Sequence, residues 1–274
     1  MQRAQREIFA PFFVDLNSYV RQMEWFHEHF EPLVWTWIGL AFGTFILLQF
    51  ITAPFGRHSR TDWGPMIKNK WGWLIMELPS FVLILVGLLL GTEVTSATWV
   101  IGGFWLLHYF NRTFVFPFRI NSGDKKMPLF ITGSAIFFNL FNGGFNAYYL
   151  AELSSYNSDW FLSWQFILGT SIFFLGMGIN HWADGVLIHL RKPGETGYKI
   201  PKGGLFNLIT APNLFGEIVE WIGFAILAWN LPAFSFAIWT MANLIPRAVA
   251  HHKFYHEKFP EYPKNRKRVI PFVY

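Results

Sequence analysis

The sequence predicts an all-α, polytopic integral membrane protein with seven transmembrane helices, its N-terminus outside and its C-terminus cytoplasmic. Composition is the first reason. Of 274 residues, 53% are hydrophobic and 14% charged, whereas soluble domains carry about 25% charged residues. Run length is the second: the apolar stretches reach the roughly 20 residues that a helix needs to cross a hydrocarbon core. The third is the placement of Lys and Arg, which fall in alternate gaps between those stretches.

In order, the stretches are 33–53, 72–91, 96–115, 128–150, 162–183, 206–229 and 231–248. The last two almost touch at "WNLPAF", where Pro232 marks a turn. Residues 1–32 mix apolar and charged side chains and read as an N-terminal interfacial extension on the bilayer. Residues 33–274 then form a single seven-helix domain. No short apolar run with a small-residue cleavage site opens the chain, so no cleaved signal peptide is expected.

Four segments carry the positive charge. Residues 54–71 hold Arg57, Arg60, Lys68 and Lys70, and 116–127 hold Arg119, Lys125 and Lys126. Residues 184–205 hold Arg191, Lys192, Lys199 and Lys202, and the tail holds Arg247, Lys253, Lys258, Lys264, Arg266, Lys267 and Arg268. The alternate connections, at 93–95, 152–159 and 230–232, have no Lys or Arg. All four basic segments are therefore expected in the cytoplasm. The net charge of +5 sits in these gaps and not on a soluble face, so nucleic acid is not the implied partner. The chain has no cysteine, which excludes disulfides, thiolate metal sites and cysteine nucleophiles.

Ionisable groups at membrane depth are costly and point to function by default. Glu77 lies in "LIMELPSF", and Tyr109 follows His108 in "LLHYFNRTF". Asn180 and Asp184 are one turn apart in "GINHWAD", and Asn213, Glu217 and Glu220 share one face of the sixth run. Tyr109, Asn180–Asp184 and Asn213–Glu220 all fall toward the cytoplasmic half. Each set also has a plainer structural reading: a carboxyl holding a proline kink for Glu77, an interfacial tyrosine for Tyr109, interhelical glue for Asn180 and Asp184, topology signals for the basic loops. Their convergence on one side favours a site. His251, His252 and His256, with His27 and His29, invite a metal reading. The two groups fall on opposite sides of the bilayer, and an i, i+4 histidine pair alone is weak, so no metal is expected.

Basic segments facing a polar-lined site suit a polyanion, because Arg and Lys bind phosphates. In "LRKPGETGYKIPKGGLF", residues 190–206, Gly194, Gly197, Gly203 and Gly204 let backbone approach such a ligand closely. No G-x-G-x-x-G follows a strand. A dinucleotide from the cytosol and a hydrophobic substrate from the bilayer fit the two halves.

Six stretches carry a family likeness: "ELPSF" (77–81), "LHYFNRTFV" (107–115), "GMGIN" with Asp184 (176–184), the 190–206 stretch, "NLFGEIVEWIGFA" (213–225) and "HHKFYHEKFPEYPKNRKRVIPF" (251–272). In these the chain resembles the steroid 5-alpha-reductase family. The resemblance implies NADPH-dependent reduction of the 4,5 double bond of a 3-oxo-4-ene steroid to a 5-alpha-reduced 3-oxosteroid. It implies Glu77 and Tyr109 as the pair that holds and polarises the substrate carbonyl, with Trp73 and Met76 also at the substrate. Cofactor positions carried over are Asn180, Asp184, Arg191, Tyr198, Lys199, Asn213, Glu217, His251, Tyr255 and Arg266, with Lys125 and Arg57 as looser matches. A monomer is expected, in a bacterial inner membrane or the endoplasmic reticulum, with its site toward the cytoplasm.

Three positions depart from the family pattern. Met76 stands where relatives carry glutamine, Phe116 where tyrosine is common, and Ser134 where a basic residue is found. They bear on the substrate more than on the reaction. The alternatives are a reductase of another lipid enone or of a long-chain enoyl thioester, an isoprenylcysteine-type membrane methyltransferase, and a non-catalytic lipid-binding protein.

Overall fold

The computed structural model describes residues 16–54, 56–120, 123, 125–191, 195 and 197–274. Residues 1–15 of the expected N-terminal extension lie outside the described residues, as do Lys192 and Gly194 of the 190–206 stretch. Among the described residues, long helices occupy all the apolar runs. They are α1 (Leu16–Phe50), α2 (Asn69–Leu90), α3 (Ser96–Phe110), α4 (Leu129–Tyr148), α5 (Trp164–His189), α6 (Pro212–Ala228) and α7 (Leu231–Lys258). A π turn, Asn111–Val115, and a last turn, Phe116–Arg119, prolong α3; a second π turn, Tyr149–Leu153, prolongs α4. Helix α1 runs unbroken across position 32, with Pro32 inside it.

Three helical stretches, Met23–Phe50, Asn69–Leu90 and Trp164–His189, are long and apolar enough to cross a membrane. Outward faces carry exposed Phe42, Ile46, Leu89, Phe174 and Leu175. An apolar surface of this extent suits lipid better than water. The architecture is that of a mostly helical membrane protein.

Local chemistry sets the helix starts. Thr95 and Thr98 form a reciprocal cap on α3, and Ser163 caps α5 by accepting from Phe166 N. Such side chains satisfy N–H groups that have no partner inside the helix. Helix α6 stops at Trp229, whose left-handed backbone (φ 46°) turns the chain. Asn230 then caps α7 by accepting from Ala233 N at 2.8 Å. Pro232 lies in the first turn of α7, where its missing N–H is not needed.

Small residues set the helix contacts. A Cβ on Gly176 would come within 2.2 Å of Glu220 N, and one on Gly216 within 2.4 Å of Asn180 N. Gly169 and Gly223 repeat this contact seven residues along each helix, at Leu227 N and Phe173 N. Antiparallel α5 and α6 therefore touch backbone to backbone, as small-residue interfaces allow. Helices α2 and α4 run parallel, with Gly87 on Ala147 and Gly143 on Ser80. Ahead of them the strands β1 (Met66–Lys68) and β2 (Lys126–Pro128) pair antiparallel, Ile67 opposite Met127, and tie two basic segments together. Trp105, Trp221, Phe224 and Phe236 fill the core around Tyr109.

Candidate active site

Glu77 and Tyr109 come from different helices and meet through a third. Asn139 on α4 donates from Nδ2 to Met76 O at 2.6 Å and to Glu77 Oε2 at 3.3 Å. Its Oδ1 accepts from Tyr109 Oη at 3.4 Å. Tyr109 and Asn139 are each 3% exposed and Met76 is 5% exposed, while Glu77 is half-buried. Pro79 lies inside α2 two residues after Glu77, where it withholds one helix hydrogen bond. Trp105 stacks on the Tyr109 ring and holds itself with a bond from Nε1 to Ser80 O.

Beside this pair lies a second polar group. The Arg112 guanidinium lies over the rings of Trp73 (4.8 Å) and Phe116 (4.6 Å), and 3.7 Å from Asp184 Oδ2. The carboxyls of Glu217, Glu77, Asp184 and Glu220 are within its electrostatic reach. Asn213 donates to Asp184 Oδ1 at 3.1 Å, and Asn180 donates to Asn213 O at 2.9 Å. The glycine contact between α5 and α6 is what places these three together. Deeper still, His108 Nδ1 and Glu220 Oε1 form a buried pair at 2.8 Å.

The basic segments meet at one end of the bundle. Among the described residues, four cations surround the Tyr198 ring: Lys258 at 4.9 Å, Arg57 and Lys125 at 5.8 Å, and Arg191 at 5.9 Å. Arg57 also lies over Tyr255 at 4.8 Å. Tyr255 stacks on Tyr262 at 5.1 Å, and Arg266 covers Tyr262 at 4.9 Å. His58 Nε2 and His251 Nδ1 are 3.3 Å apart. Burial, then Arg247 and Arg57, push the His58 imidazole down to about 4. Burial, then Arg191 and Arg57, lower the Lys125 ammonium as well. Arg57 Nη1 and Arg266 Nε are buried and have no hydrogen-bond partner among the described residues. Crowded cations with unused guanidinium donors fit an anionic acceptor such as a phosphate.

The structure thus groups the residues singled out from sequence unequally. Glu77 and Tyr109 share one centre, with Met76 lending its carbonyl and Trp73 lying at its border. Asn180, Asp184, Asn213 and Glu217 line the middle. Arg57, Lys125, Arg191, Tyr198, His251 and Tyr255 form the basic end. Two stand apart. Lys199 is paired with Glu195 at the surface. Arg266 donates to Pro201 O at 3.2 Å, pinning the 190–206 stretch to the tail. Sequence reasoning did not single out Asn139, Arg112, His58 and Lys258, which the structure places at the candidate site. Asn139 had a signal: it recurs with Asn142 and Asn146 on one face of an apolar helix, all buried. Among the described residues, no three His, Cys, Asp or Glu are grouped to hold a metal ion.

Known proteins are similar to this sequence. A family model described as 3-oxo-5-alpha-steroid 4-dehydrogenase matches residues 125–274. Steroid 5-alpha-reductase DET2 of Solanum lycopersicum is 42% identical over 252 residues, which is 89% of this chain and 97% of that protein. The 3-oxo-5-alpha-steroid 4-dehydrogenase 1 of Bos taurus is 40% identical over 248 residues, 89% of this chain and 96% of its own length. The corresponding protein 2 of Mus musculus is 39% identical over 237 residues, 85% and 92% of the two chains. With the stretch from Lys125 to Tyr274 matched by the family model and about nine-tenths of the chain aligned to such relatives, the chain belongs to the 3-oxo-5-alpha-steroid 4-dehydrogenase family.

Proposed function

We propose that this protein reduces the 4,5 double bond of a 3-oxo-4-ene steroid with NADPH, in a seven-helix membrane bundle whose basic end faces the cytoplasm. One observation carries the reading: the Glu77–Asn139–Tyr109 chain, with Asn139 and Tyr109 buried in the apolar core, adjoins a polar path that leads to the cationic end. Arg57, Lys125, Arg191 and Lys258 around Tyr198 would hold the phosphates. Arg112, Asn180, Asp184, Asn213 and Glu217 would line the way inward. Bound there, NADPH would supply the hydride for the enone beta carbon.

The chain's own part is to stabilise charge. Conjugate addition builds negative charge on the carbonyl oxygen, and a fixed donor aimed at it lowers the barrier. Tyr109 Oη is such a donor: it holds the oxygen while charge builds there, and the proton that balances the hydride ends on the alpha carbon as the ketone re-forms. Asn139 orients the hydroxyl. Glu77 holds the same oxygen only when protonated, since a carboxylate has no hydrogen to donate. The apolar walls exclude water. A second reading, another lipid enone, is favoured by Met76, which leaves an apolar side chain where the steroid-reducing pattern has an amide.

Detergent-purified protein is assayed for NADPH oxidation with testosterone or progesterone, beside Tyr109→Phe and Glu77→Gln. Turnover by the wild type is expected, with losses of about 100-fold or more in Tyr109→Phe. NADPH binding without steroid turnover moves the substrate to another lipid enone. No NADPH binding sinks the reductase reading.

A further inference from the structure

The proposed reaction uses one end of an aromatic row, and the other end carries a polar group that the reaction leaves idle. Trp105 stacks on Tyr109 with centroids 5.2 Å apart, Phe236 lies 4.6 Å from Trp105, and Phe138 lies 6.2 Å from Phe236. The row continues from Phe138 to Trp239 over 5.3 Å and from Trp239 to Trp37 over 4.7 Å. The last two indoles differ. Trp37 Nε1 donates to Asn142 Oδ1 at 3.1 Å. Trp239 is 5% exposed, and its Nε1 has no hydrogen-bond partner among the described residues. An indole N–H can only donate, and buried donors are as a rule paired. The row therefore has a hydroxyl donor at Tyr109, an unpaired N–H donor at Trp239, and apolar rings between.

We infer that Trp239 is a specificity-determining residue, donating its indole N–H to an oxygen on the substrate ring farthest from the enone. This role rests on the steroid reading proposed above and narrows its substrate class to 4-en-3-ones with a second acceptor at the far end. A steroid nucleus is rigid, so its two oxygens keep a fixed separation. A row of aromatic rings with a donor at each end suits such a molecule. A flexible fatty enone has no second acceptor held at that distance. A water molecule on Trp239 would instead be indifferent to the far ring, and the two cases separate by experiment.

The whole protein in detergent is assayed with three 4-en-3-ones that differ only at position 17, bearing a hydroxyl, an oxo group or hydrogen alone. Wild type and Trp239→Phe are compared, with NADP+ binding and thermal melting recorded for both. The wild type is expected to favour the oxygenated substrates in kcat/KM by about tenfold, the scale of one well-buried hydrogen bond. Trp239→Phe is expected to treat all three alike. Comparing ratios within each protein cancels the partitioning of steroids into detergent. A wild type that does not distinguish the three overturns the inference without any variant. So does a Trp239→Phe protein that keeps the wild-type preference. Turnover of none of the three, with NADP+ still bound, overturns the steroid reading and this role with it, and moves the substrate to another lipid enone.

Discussion

The Tyr109 hydroxyl donates to Asn139 Oδ1 over 3.4 Å, inside the helix bundle. That bond is long for an O–H donor, so the proton is easily redirected to a substrate oxygen. The rest of the amide is held firmly, by Met76 O at 2.6 Å and Glu77 Oε2 at 3.3 Å. In the proposed reaction Asn139 is thus a positioning residue for the donor pair. Asn139→Leu keeps the size and removes every one of these bonds. We expect kcat to fall about 100-fold, the usual range for a misplaced general acid, while the dissociation constant of NADP+ hardly changes. A variant that keeps its kcat would remove Asn139 from the mechanism.

Gly176 is a test of the fold and the site together. Its Cβ would meet Glu220 N at 2.2 Å, and helix backbone cannot yield as a flexible side chain does. Gly176→Ala must part α5 from α6 and with them the bond from Asn180 to Asn213 O. Overpacking of this kind costs about 1–3 kcal/mol. Gly178, two residues on, has nothing within 4 Å of its would-be Cβ. Gly178→Ala should be neutral or slightly stabilising, by up to about 1 kcal/mol. Melting curves and NADP+ titrations of the two variants decide this; equal behaviour would show that the close contact is not what places Asn180.

Some of this was legible in the chain and some was not, for physical reasons. The link at Trp229 and Asn230 could be read because turn and cap chemistry are local. Glu77 and Tyr109 stood out because ionisable groups in apolar runs are rare. Asn139 obeys the same logic, but an amide reads as easily as helix glue. Arg112 lies in the π turn Asn111–Val115, where the regular helical face is lost, so periodicity could not aim it at Trp73. The basic end is set by long-range packing. His58 and His251 are 193 residues apart, and only the folded bundle shows that they touch. Lys199 illustrates the opposite: its motif suggested a ligand contact, while Glu195 four residues earlier offers a local partner.

Lys258 belongs to the basic end by position alone, 4.9 Å from the Tyr198 ring. In the proposed site Lys258 faces a phosphate, and its removal takes away a charge-assisted contact. Lys258→Ala should weaken NADP+ binding roughly three- to tenfold and soften its dependence on salt. Binding measured by quenching of tryptophan fluorescence at two ionic strengths tests this. An unchanged affinity and salt dependence would place the phosphates elsewhere.

His58 gives the basic end a pH dependence with a definite sign. The folded protein holds its imidazole at about 4, below the ordinary 6.5, through burial and the charges of Arg247 and Arg57. The unfolded chain therefore binds a proton between those values that the folded chain does not, and stability falls as pH drops through that window. A bound phosphate reverses the local field. Negative charge beside Arg57, Arg247, His251 and His58 favours the imidazolium, so binding takes up protons and tightens as pH falls below neutrality. His58→Gln keeps a polar side chain and removes the titration. The NADP+ dissociation constant is followed from pH 8 to pH 5.5 in both proteins, so that titration of the ligand's own phosphate cancels. The wild-type profile should gain affinity toward acid relative to His58→Gln. Parallel profiles would mean that no phosphate comes near His58.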